Sequence, residues 1–212
     1  MNFKKLVVFD LDGTLNKTEL YAVPAHQKAL HELGVTNISD ADIIATFGAR
    51  AEDSYHLLVG TTDPDILCVY MQKVSQYERE MIKTNAGSYD GVPQMLAGLK
   101  KRGFFTAVCS NSSERYIRMV LSNLGILKYI DDIQPLIPGL KKEDTLRLLL
   151  ERMKPDRAVM IGDRSYDQSA ALKNGLPFIG CLYGFRPEEM CHADAVIKDA
   201  SEIPDAVERL MI

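Results

Sequence analysis

Five short apolar segments constrain the fold of this chain more than any other feature. Within them apolar and polar residues do not alternate strictly, as they would in a sheet with one face in solvent. Near-continuous apolar character is typical of strands buried on both faces of a parallel sheet. We therefore predict strands at KKLVVFD (4–10), FFTAVCS (104–110), RAVMIGD (157–163), LPFIGCL (176–182) and ADAVIKD (193–199).

Helix-period segments separate these strands from about residue 88 onward. Strand and helix in alternation are typical of an open, doubly wound α/β sheet with mostly parallel strands. The helical segments are VPQMLAGLKKRG (92–103), SSERYIRMVLSNLG (112–125), KEDTLRLLLERM (142–153), SYDQSAALKNG (165–175) and DAVERLMI (205–212).

Residues 16–86 break this alternation. They contain only helical patterns, the longest being DPDILCVYMQKVSQYEREMIKT at 63–84. We predict a Rossmann-like α/β core formed by residues 1–15 and 87–212, with residues 16–86 inserted as a helical cap. The predicted hinges lie near residues 15–20 and 84–90.

Composition excludes several classes of function. A net charge of −4 and a pI near 5.6 argue against a nucleic-acid-binding protein, which usually carries a basic excess. No apolar run approaches the roughly 20 residues of a membrane helix. The first apolar run is too short for the core of a signal peptide, and the four cysteines form no CxxC pair. We expect a cytoplasmic protein without disulfides or zinc, monomeric by default, with a homodimer as the alternative.

Polar residues collect where the predicted strands end. In open α/β sheets, ligands bind in the crevice outside the carboxyl ends of the strands. The residues that the pattern brings to this edge are Asp10, Asp12, Gly13, Ser110, Asn111, Asp163 and Asp167, together with Lys141 and Lys142 ahead of a helix.

Carboxylates at this edge favour phosphoryl chemistry. Asp10 and Asp12 are two residues apart, so both side chains point to one side while the chain stays extended. Together with Asp163 they repel one another unless a cation is present, and Mg²⁺ suits carboxylate ligands beside a substrate phosphate. Aspartate is also a known nucleophile for phosphoryl groups.

The remaining residues of this edge have roles in the same hypothesis. One allocation makes Asp10 the nucleophile and Asp12 the acid/base that protonates the leaving oxygen and later activates water. Ser110, the Asn111 amide and a lysine would hold the phosphoryl oxygens. Gly13 would let the backbone turn sharply beside the phosphate.

The segments FDLDGTL, VCSNS and MIGDRSYDQSAALKNG, with a lysine ahead of a helix, resemble the four motifs of the haloacid dehalogenase-like hydrolase superfamily. Within it the chain is most similar to the phosphoglycolate-phosphatase-like branch with a helical cap. The resemblance implies an Mg²⁺ ion held by the Asp10 carboxylate, the Asp12 backbone carbonyl and Asp163. Asp167 would support the ion or orient the lysine.

The same resemblance favours Lys142 as the phosphate-binding lysine, since KEDTLRLLL has the family's spacing, and Lys141 is the alternative. Asp12 argues against dehalogenation, because dehalogenases of the superfamily lack the second aspartate. Ala22 stands where the similar β-phosphoglucomutases have a histidine, which favours hydrolysis over mutase chemistry.

Two cap residues are candidates for substrate contact. In the family, the loop equivalent to FGARAEDSYHLL (47–58) reaches over the active site, so Arg50 is expected either to pair with a substrate anion or to serve as a surface helix-start residue. Tyr21 either packs at the hinge or contacts substrate.

The sequence therefore predicts an Mg²⁺-dependent phosphatase acting on a small phosphorylated metabolite through an aspartyl-phosphate. Phosphoglycolate, sugar phosphates and nucleotides all remain open as substrates. A sugar-phosphate mutase and a phospho-accepting regulatory domain are the alternatives.

Overall fold

A six-stranded parallel sheet forms the centre of the molecule. The computed structural model describes residues 4–211, except the side chain of Glu52. The strand order is β3-β2-β1-β4-β5-β6, and every neighbouring pair runs parallel. The strands are β1 (Lys5–Phe9), β2 (Phe105–Cys109), β3 (Asp132–Gln134), β4 (Arg157–Gly162), β5 (Phe178–Cys181) and β6 (Ala195–Ile197).

The strand order fixes where a ligand can bind. From β1 the chain runs outward through β2 to β3, then returns to the other side of β1 and continues through β4 to β6. The order therefore reverses between β1 and β4, where Phe9 pairs with Ile161. At such a switch point the two crossover connections leave toward opposite faces and open a crevice at the carboxyl ends of the strands.

Helices cover both faces of the sheet, as expected for buried parallel strands. Val7 and Phe9 of β1 belong to the apolar cluster that includes helices α5 (Val92–Lys101), α6 (Glu114–Asn123) and α9 (Ile203–Leu210). Leu6 and Val8, on the opposite face, pack with α7 (Lys142–Met153) and α8 (Ser165–Lys173). These four side chains of β1 are fully buried, which explains why the strand shows no polar alternation.

Four further helices precede β2 in the chain: α1 (Glu19–Glu32), α2 (Asp40–Ala45), α3 (Ala51–Val59) and α4 (Pro64–Asn85). We call them the helical insertion. Ser39 caps α2 and Asp63 caps α4 through side-chain acceptors, and α1 packs along α4. No strand occurs between residues 17 and 86, all of which the structure describes, so the predicted all-helical character is confirmed.

The fold class and all five predicted strands are confirmed, but the prediction omitted β3. That strand consists of Asp132, Ile133 and Gln134 at the edge of the sheet, and its first two residues are only half-buried. A strand this short has no apolar run by which the sequence could reveal it. Only its pairing with β2 identifies it as a strand. The division into a core (1–15 and 87–212) and a cap (16–86) stays a prediction, and residues 1–3 and 212 lie outside the described residues.

Among the described residues, none of the helices combines the length and the apolar character that crossing a membrane requires.

Candidate active site

Three carboxylates and one lysine meet at the switch point. Asp10 follows β1, Asp163 follows β4, and Asp167 lies in the first turn of α8. Their ligand oxygens all lie within 4.8 Å of one another. Lys142, the first residue of α7, places its Nζ 2.7 Å from Asp10 Oδ1 and 2.5 Å from Asp167 Oδ1. The four residues that we call the acidic cluster therefore come from three separate segments of the chain.

Burial makes this cluster electrostatically costly. Asp163 and Asp167 are fully buried, and Asp10 is 3% exposed. Loss of water raises the pKa of Asp10 to about 7, although the charge of Lys142 acts in the opposite direction. Burial also raises the pKa of Asp163 well above its ordinary value, and Asp10 and Asp167 add to that shift. Burial lowers the pKa of Lys142, but the neighbouring carboxylates more than offset this and leave it above its usual value.

The donor set of the cluster fits a hard divalent cation. Lys142 compensates one of the three carboxylate charges, and the other two face each other in a buried site. Oxygen ligands with excess negative charge are what Mg²⁺ prefers. The side chain of Asp12 is not part of this group. That agrees with the expectation that Asp12 would contribute its backbone carbonyl, a role that stays a prediction.

Glycines allow the backbone to approach Asp163 closely. Gly13 has φ +83°, and a Cβ there would lie 2.3 Å from Asp163 Oδ2. Gly184 is equally tight, with its Cβ position 2.2 Å from Asp163 Cβ. The carboxylate is fixed by Thr14 Oγ1 at 3.2 Å and by the Phe185 amide at 2.8 Å. Any side chain at Gly13 would collide with the Asp163 carboxyl and the Phe185 ring and would force them to shift.

A hydrogen-bond network orients Asp12. Its Oδ1 accepts from Thr18 Oγ1 at 2.6 Å, the Tyr116 hydroxyl at 2.9 Å and Asn16 Nδ2 at 3.0 Å. Its Oδ2 has a longer contact, in which Ser112 Oγ donates at 3.3 Å. Because three donors occupy Oδ1 and only Ser112 contacts Oδ2, Oδ2 is the oxygen with free hydrogen-bonding capacity.

Tyr21 belongs to this network rather than to a cavity wall. Its side chain is fully buried, its hydroxyl accepts from Asn16 Nδ2 at 2.7 Å, and it lies 2.5 Å from the Tyr116 hydroxyl. Of the two roles that the sequence left open for Tyr21, packing at the hinge agrees with this burial, and the substrate contact stays a prediction.

Ser110 and Asn111 occupy the end of β2 as predicted. Ser110 is 3% exposed, and its Oγ accepts from the Ser112 amide at 3.2 Å. Asn111 is half-buried and uses its side-chain amide to donate to the Gly48 carbonyl of the helical insertion at 2.9 Å. The side chain of Asn111 therefore ties the insertion to the sheet, which leaves its backbone amide for the phosphoryl contact that the sequence predicts.

A cavity of about 250 Å³ opens beside Asp12, between the sheet edge and the helical insertion. We call it the Asp12 cavity. The sheet edge and α6 contribute Asp12, Asn111, Ser112, Ser113, Tyr116 and Leu136 to its wall. The insertion and the segment leading into it contribute Thr18, His26, Thr46, Phe47, Gly48, Ala49, Ala51, Tyr55, Met71, Ser75 and Glu78.

Arg50 and both candidate lysines line a second cavity of about 410 Å³, on the other side of Asn111. Arg50 pairs with Asp53 at 2.8 Å and donates to the Leu140 carbonyl at 3.4 Å. It does not line the Asp12 cavity. Lys141 is exposed, whereas Lys142 is buried in the acidic cluster. The geometry therefore favours Lys142 as the phosphate-binding lysine, as the sequence spacing did.

The loop between α2 and α3 closes the Asp12 cavity against the sheet. Arg164 is 6% exposed and donates to the Phe47 carbonyl, and the Phe47 ring lies edge-on to Phe185 with centroids 5.2 Å apart. Together with the bond from Asn111 to Gly48, these contacts hold the insertion over the active site.

Several residues of the site were not singled out as candidates from the sequence. Tyr116 lies in the first turn of α6, and Ser112 lies just before the residue that caps this helix, so both follow the end of β2 closely in the sequence. Glu78 and Tyr55 have no such signal, because they reach the cavity only through the packing of α3 and α4. His26 is buried and also lines the Asp12 cavity.

Comparisons with known proteins agree with this geometry. The model of the haloacid dehalogenase-like hydrolase family matches residues 7–181. The chain is 26% identical to N-acetylmuramic acid 6-phosphate phosphatase of Pseudomonas aeruginosa, over 98% of this chain and 96% of that protein. It is 28% identical to phosphoglycolate phosphatase of Agrobacterium fabrum, over 95% and 91% of the two chains.

A solved structure shows the same fold over its whole length. The crystal structure of a predicted phosphatase from Clostridium acetobutylicum matches with a TM-score of 0.87 and 27% identity, covering 99% of this chain and 100% of the other. The family match covers most of the chain, from β1 to β5. The chain therefore belongs to the haloacid dehalogenase-like hydrolase family, as an enzyme of the phosphatase type with an inserted helical segment.

Proposed function

We propose that this protein is an Mg²⁺-dependent phosphatase that hydrolyses a small phosphorylated metabolite through an aspartyl-phosphate on Asp10. The observation that carries the proposal is the placement of Asp10 and Asp12. Asp10 lies in the acidic cluster against Lys142, whereas Asp12, two residues later, faces the Asp12 cavity. Asp10 is therefore proposed to attack phosphorus, and Asp12 to protonate the leaving group.

In the first half-reaction, an Asp10 oxygen forms a bond to phosphorus while the bond from phosphorus to the leaving oxygen breaks. Asp12 Oδ2 gives its proton to the leaving oxygen, which departs as an alcohol. The network on Oδ1 holds the carboxyl in place and leaves Oδ2 directed to this task.

In the second half-reaction, Asp12 Oδ2 takes a proton from water, whose oxygen attacks phosphorus. The bond between Asp10 and phosphorus breaks, which releases inorganic phosphate and restores both carboxyl groups. The Ser110 hydroxyl, the Asn111 amide and Lys142 hold the phosphoryl oxygens during both transfers. Lys142 already lies 2.7 Å from Asp10, so it needs little movement to contact a phosphoryl group on that residue.

Asp10, Asp163 and the Asp12 carbonyl would hold the Mg²⁺ ion, with Asp167 supporting it. When bound, the ion neutralises charge between the anionic substrate and the carboxylates and polarises the phosphoryl group. Asp167 also orients Lys142 at 2.5 Å.

The helical insertion acts as the cap of the enzyme in this proposal. It forms one wall of the Asp12 cavity, whose volume of about 250 Å³ suits a metabolite rather than a folded phosphoprotein. Closing such a lid excludes bulk water from the reaction. A cytoplasmic location and a monomeric state complete the proposal. Size-exclusion chromatography with light scattering tests the monomeric state.

Release of inorganic phosphate from a panel of phosphomonoesters, with Mg²⁺ and with a chelator, tests the proposal. We expect turnover only with the metal, and no turnover by Asp10→Asn, whose fold is checked by circular dichroism. Activity of Asp10→Asn within about tenfold of the wild type would overturn the nucleophile assignment. Interconversion of sugar phosphates without phosphate release would instead identify a mutase. Stable labelling of Asp10 without turnover would identify a phospho-accepting regulator.

A further inference from the structure

The position of Asp12 determines where the leaving group of the substrate begins. This step rests on the proposed function, in which Asp12 protonates the leaving oxygen and must therefore contact it. Asp12 lines the Asp12 cavity and does not line the cavity that contains Arg50 and Lys142. The leaving group consequently enters the Asp12 cavity, and the space that adjoins this cavity is open to the part of the leaving group farther from phosphorus.

A larger cavity of about 570 Å³ adjoins the Asp12 cavity, between helices α3 and α4. Both spaces share the wall residues Ala51, Tyr55, Met71 and Ser75, and they therefore meet along these four side chains. We call the larger space the apolar groove, whose far wall consists of Pro64, Leu67 and Cys68.

One face of α4 runs from the Asp12 cavity along the apolar groove. Its members follow one another at intervals of four and three residues, which places them on the same side of a helix: Pro64, Cys68, Met71, Ser75 and Glu78. Glu78 lines the Asp12 cavity but not the groove, whereas Pro64 and Cys68 line the groove but not the Asp12 cavity. At about 1.5 Å per residue, Cys68 lies about 15 Å along the helix from Glu78. This face therefore forms one wall that leads from the first space into the second.

The wall becomes less polar with distance from Asp12. In the Asp12 cavity α4 contributes the carboxyl group of Glu78, whereas in the groove it contributes the side chains of Met71, Leu67 and Pro64. Met71 is 37% exposed and Leu67 is half-buried, so both present apolar surface to solvent. A ligand that covers such surface gains binding energy in proportion to the apolar area removed from water.

The polar side chains of the groove have partners within α4. The Arg79 guanidinium donates to Ser75 Oγ at 2.8 Å, and the Gln72 side-chain amide donates to Cys68 Sγ at 3.4 Å. No carboxylate is among the described side chains that line the groove. The groove therefore offers an incoming ligand mainly apolar contact.

We propose that the apolar groove binds the distal part of the leaving group, so that the preferred substrate is a phosphomonoester with an aliphatic or aromatic tail. In this arrangement the phosphoryl group lies at Asp10, the leaving oxygen at Asp12, and the tail along Met71 and Leu67. A two-carbon leaving group is smaller than the Asp12 cavity of about 250 Å³ and leaves the groove uncovered. The continuity of the two spaces argues for the substrate, rather than a second protein chain, as the occupant.

A series of p-alkylphenyl phosphates tests the proposal. The compounds are phenyl, p-ethylphenyl, p-butylphenyl and p-hexylphenyl phosphate, each with Mg²⁺ and below the concentration at which it forms micelles. A para-alkyl chain scarcely changes the acidity of the phenol, so the leaving-group chemistry stays constant while the apolar length varies.

Each fully buried methylene is worth up to about fourfold in binding, and partial burial reduces this factor. We expect kcat/KM to rise by at least about tenfold from phenyl to p-hexylphenyl phosphate, which equals about 1.4 kcal/mol. A flat or falling series would overturn the proposal.

The variant Leu67→Asn assigns the effect to the groove. Asparagine has nearly the size of leucine but replaces its apolar surface by an amide, so the rise across the series should fall to about threefold or less, with kcat/KM for phenyl phosphate unchanged. Ile66→Asn is the matched control and should keep the wild-type rise, because Ile66 is 41% exposed on the same helix but does not line the groove. The full wild-type rise in Leu67→Asn would contradict the placement of the tail.

Cys68 provides a measurement that needs no turnover. Its thiol is exposed and lines the groove, whereas Cys191 is exposed and does not line it. With a chelator in place of Mg²⁺, p-hexylphenyl phosphate above its KM should slow the modification of Cys68 by N-ethylmaleimide at least about twofold, and phenyl phosphate should not. The rate at Cys191, followed by peptide mass spectrometry, should stay unchanged. Equal rates at Cys68 with both compounds would overturn the proposal, and this readout decides it if Leu67→Asn does not fold.

The failure of this inference is distinguishable from that of the proposed function. If the wild type with Mg²⁺ releases phosphate neither from this series nor from the panel of phosphomonoesters, the proposed function fails and this inference fails with it. If phosphate is released but the series is flat, the phosphatase assignment holds and the role of the groove is wrong. A flat series together with a dimer that dissociates in Leu67→Asn, measured by light scattering, would show that the groove binds a second copy of this chain instead.

Discussion

Replacing Glu78 by glutamine should change how the stability of the folded chain depends on pH. Glu78 lies on α4 and faces the Asp12 cavity, and burial raises its pKa from about 4.5 to about 8. Glutamine has nearly the same shape and does not titrate in this range. The charged or titratable groups that act on Glu78, or on which it acts, are Asp12, Arg79, Tyr21, Tyr55, Tyr70 and Tyr116.

The size of the effect follows from the shift. The pKa of Glu78 in the folded chain lies about 3.5 units above its ordinary value, and each unit is worth about 1.36 kcal/mol. The change in unfolding free energy with pH therefore has an upper limit of about 5 kcal/mol. Glu78 is half-buried beside a cavity that admits water, so screening reduces the effect. We expect a difference of at least about 2 kcal/mol between low and high pH.

The sign follows from proton binding. Between about pH 4.5 and about pH 8 the folded chain keeps a proton on Glu78 that the unfolded chain has released. Folding therefore binds a proton in this window, and the stability of the wild type falls as the pH rises through it. Glu78→Gln lacks this loss, so its free energy of unfolding should rise relative to that of the wild type up to about pH 8 and stay level above it.

Urea unfolding of both proteins at several pH values between about 5 and about 9 measures this difference. Titration of the acidic cluster is common to both proteins and largely cancels in the comparison. Glu80→Gln serves as the control, because its carboxylate is exposed in the folded chain as it is in the unfolded chain. Parallel stability curves for the wild type and Glu78→Gln would refute the reasoning.

Two further substitutions test the acidic cluster, each with a matched control. Lys142→Met leaves two buried carboxylates unpaired and should cost about 3–5 kcal/mol of unfolding free energy without added metal, whereas exposed Lys141→Met should change it by less than about 0.5 kcal/mol. Equal costs by urea unfolding would contradict the placement of Lys142. Gly13→Ala should lose more stability and more Mg²⁺ affinity than Gly34→Ala, because the new Cβ at Gly13 meets Asp163, whereas Gly34, at φ +77°, has open space around it. Urea unfolding measures the stability, and calorimetry measures the Mg²⁺ affinity. Gly34→Ala should lose only about 1–2 kcal/mol, the cost of the left-handed backbone, and unchanged Mg²⁺ affinity in Gly13→Ala would show that Asp163 is not a ligand.

The strand ends were predictable because they depend on short-range pattern and one general rule. Apolar runs without alternation predict a parallel sheet, and the carboxyl ends of parallel strands share an edge. Asp10 and Asp163 were therefore expected at the same edge, and the pairing of β1 with β4 makes them neighbours. The same rule could not find β3, whose residues are partly exposed and whose pairing with β2 alone makes it a strand.

The walls of the Asp12 cavity were not predictable in this way. Tyr21 was a candidate from the sequence, yet its contacts with Asn16 and Tyr116 depend on how α1 and α6 approach each other. Arg50 was expected near the substrate by analogy, and packing places it beside the second cavity with Asp53 as its partner. Periodicity indicates that a helix has a buried face, but not which residue of another helix that face meets.

The sequence by itself determined the chemistry that we propose for this protein, since the two aspartates proposed to attack phosphorus and to move the proton follow a buried strand at fixed spacing. Only the tertiary structure decided the surroundings of that chemistry. It brought Lys142 between Asp10 and Asp167, and it brought Glu78 and Asp12 to the wall of one cavity. The physical reason is that backbone pattern fixes the position of strand-end residues, whereas the charge that a substrate meets in the cavity is set by helices packed together from distant parts of the chain.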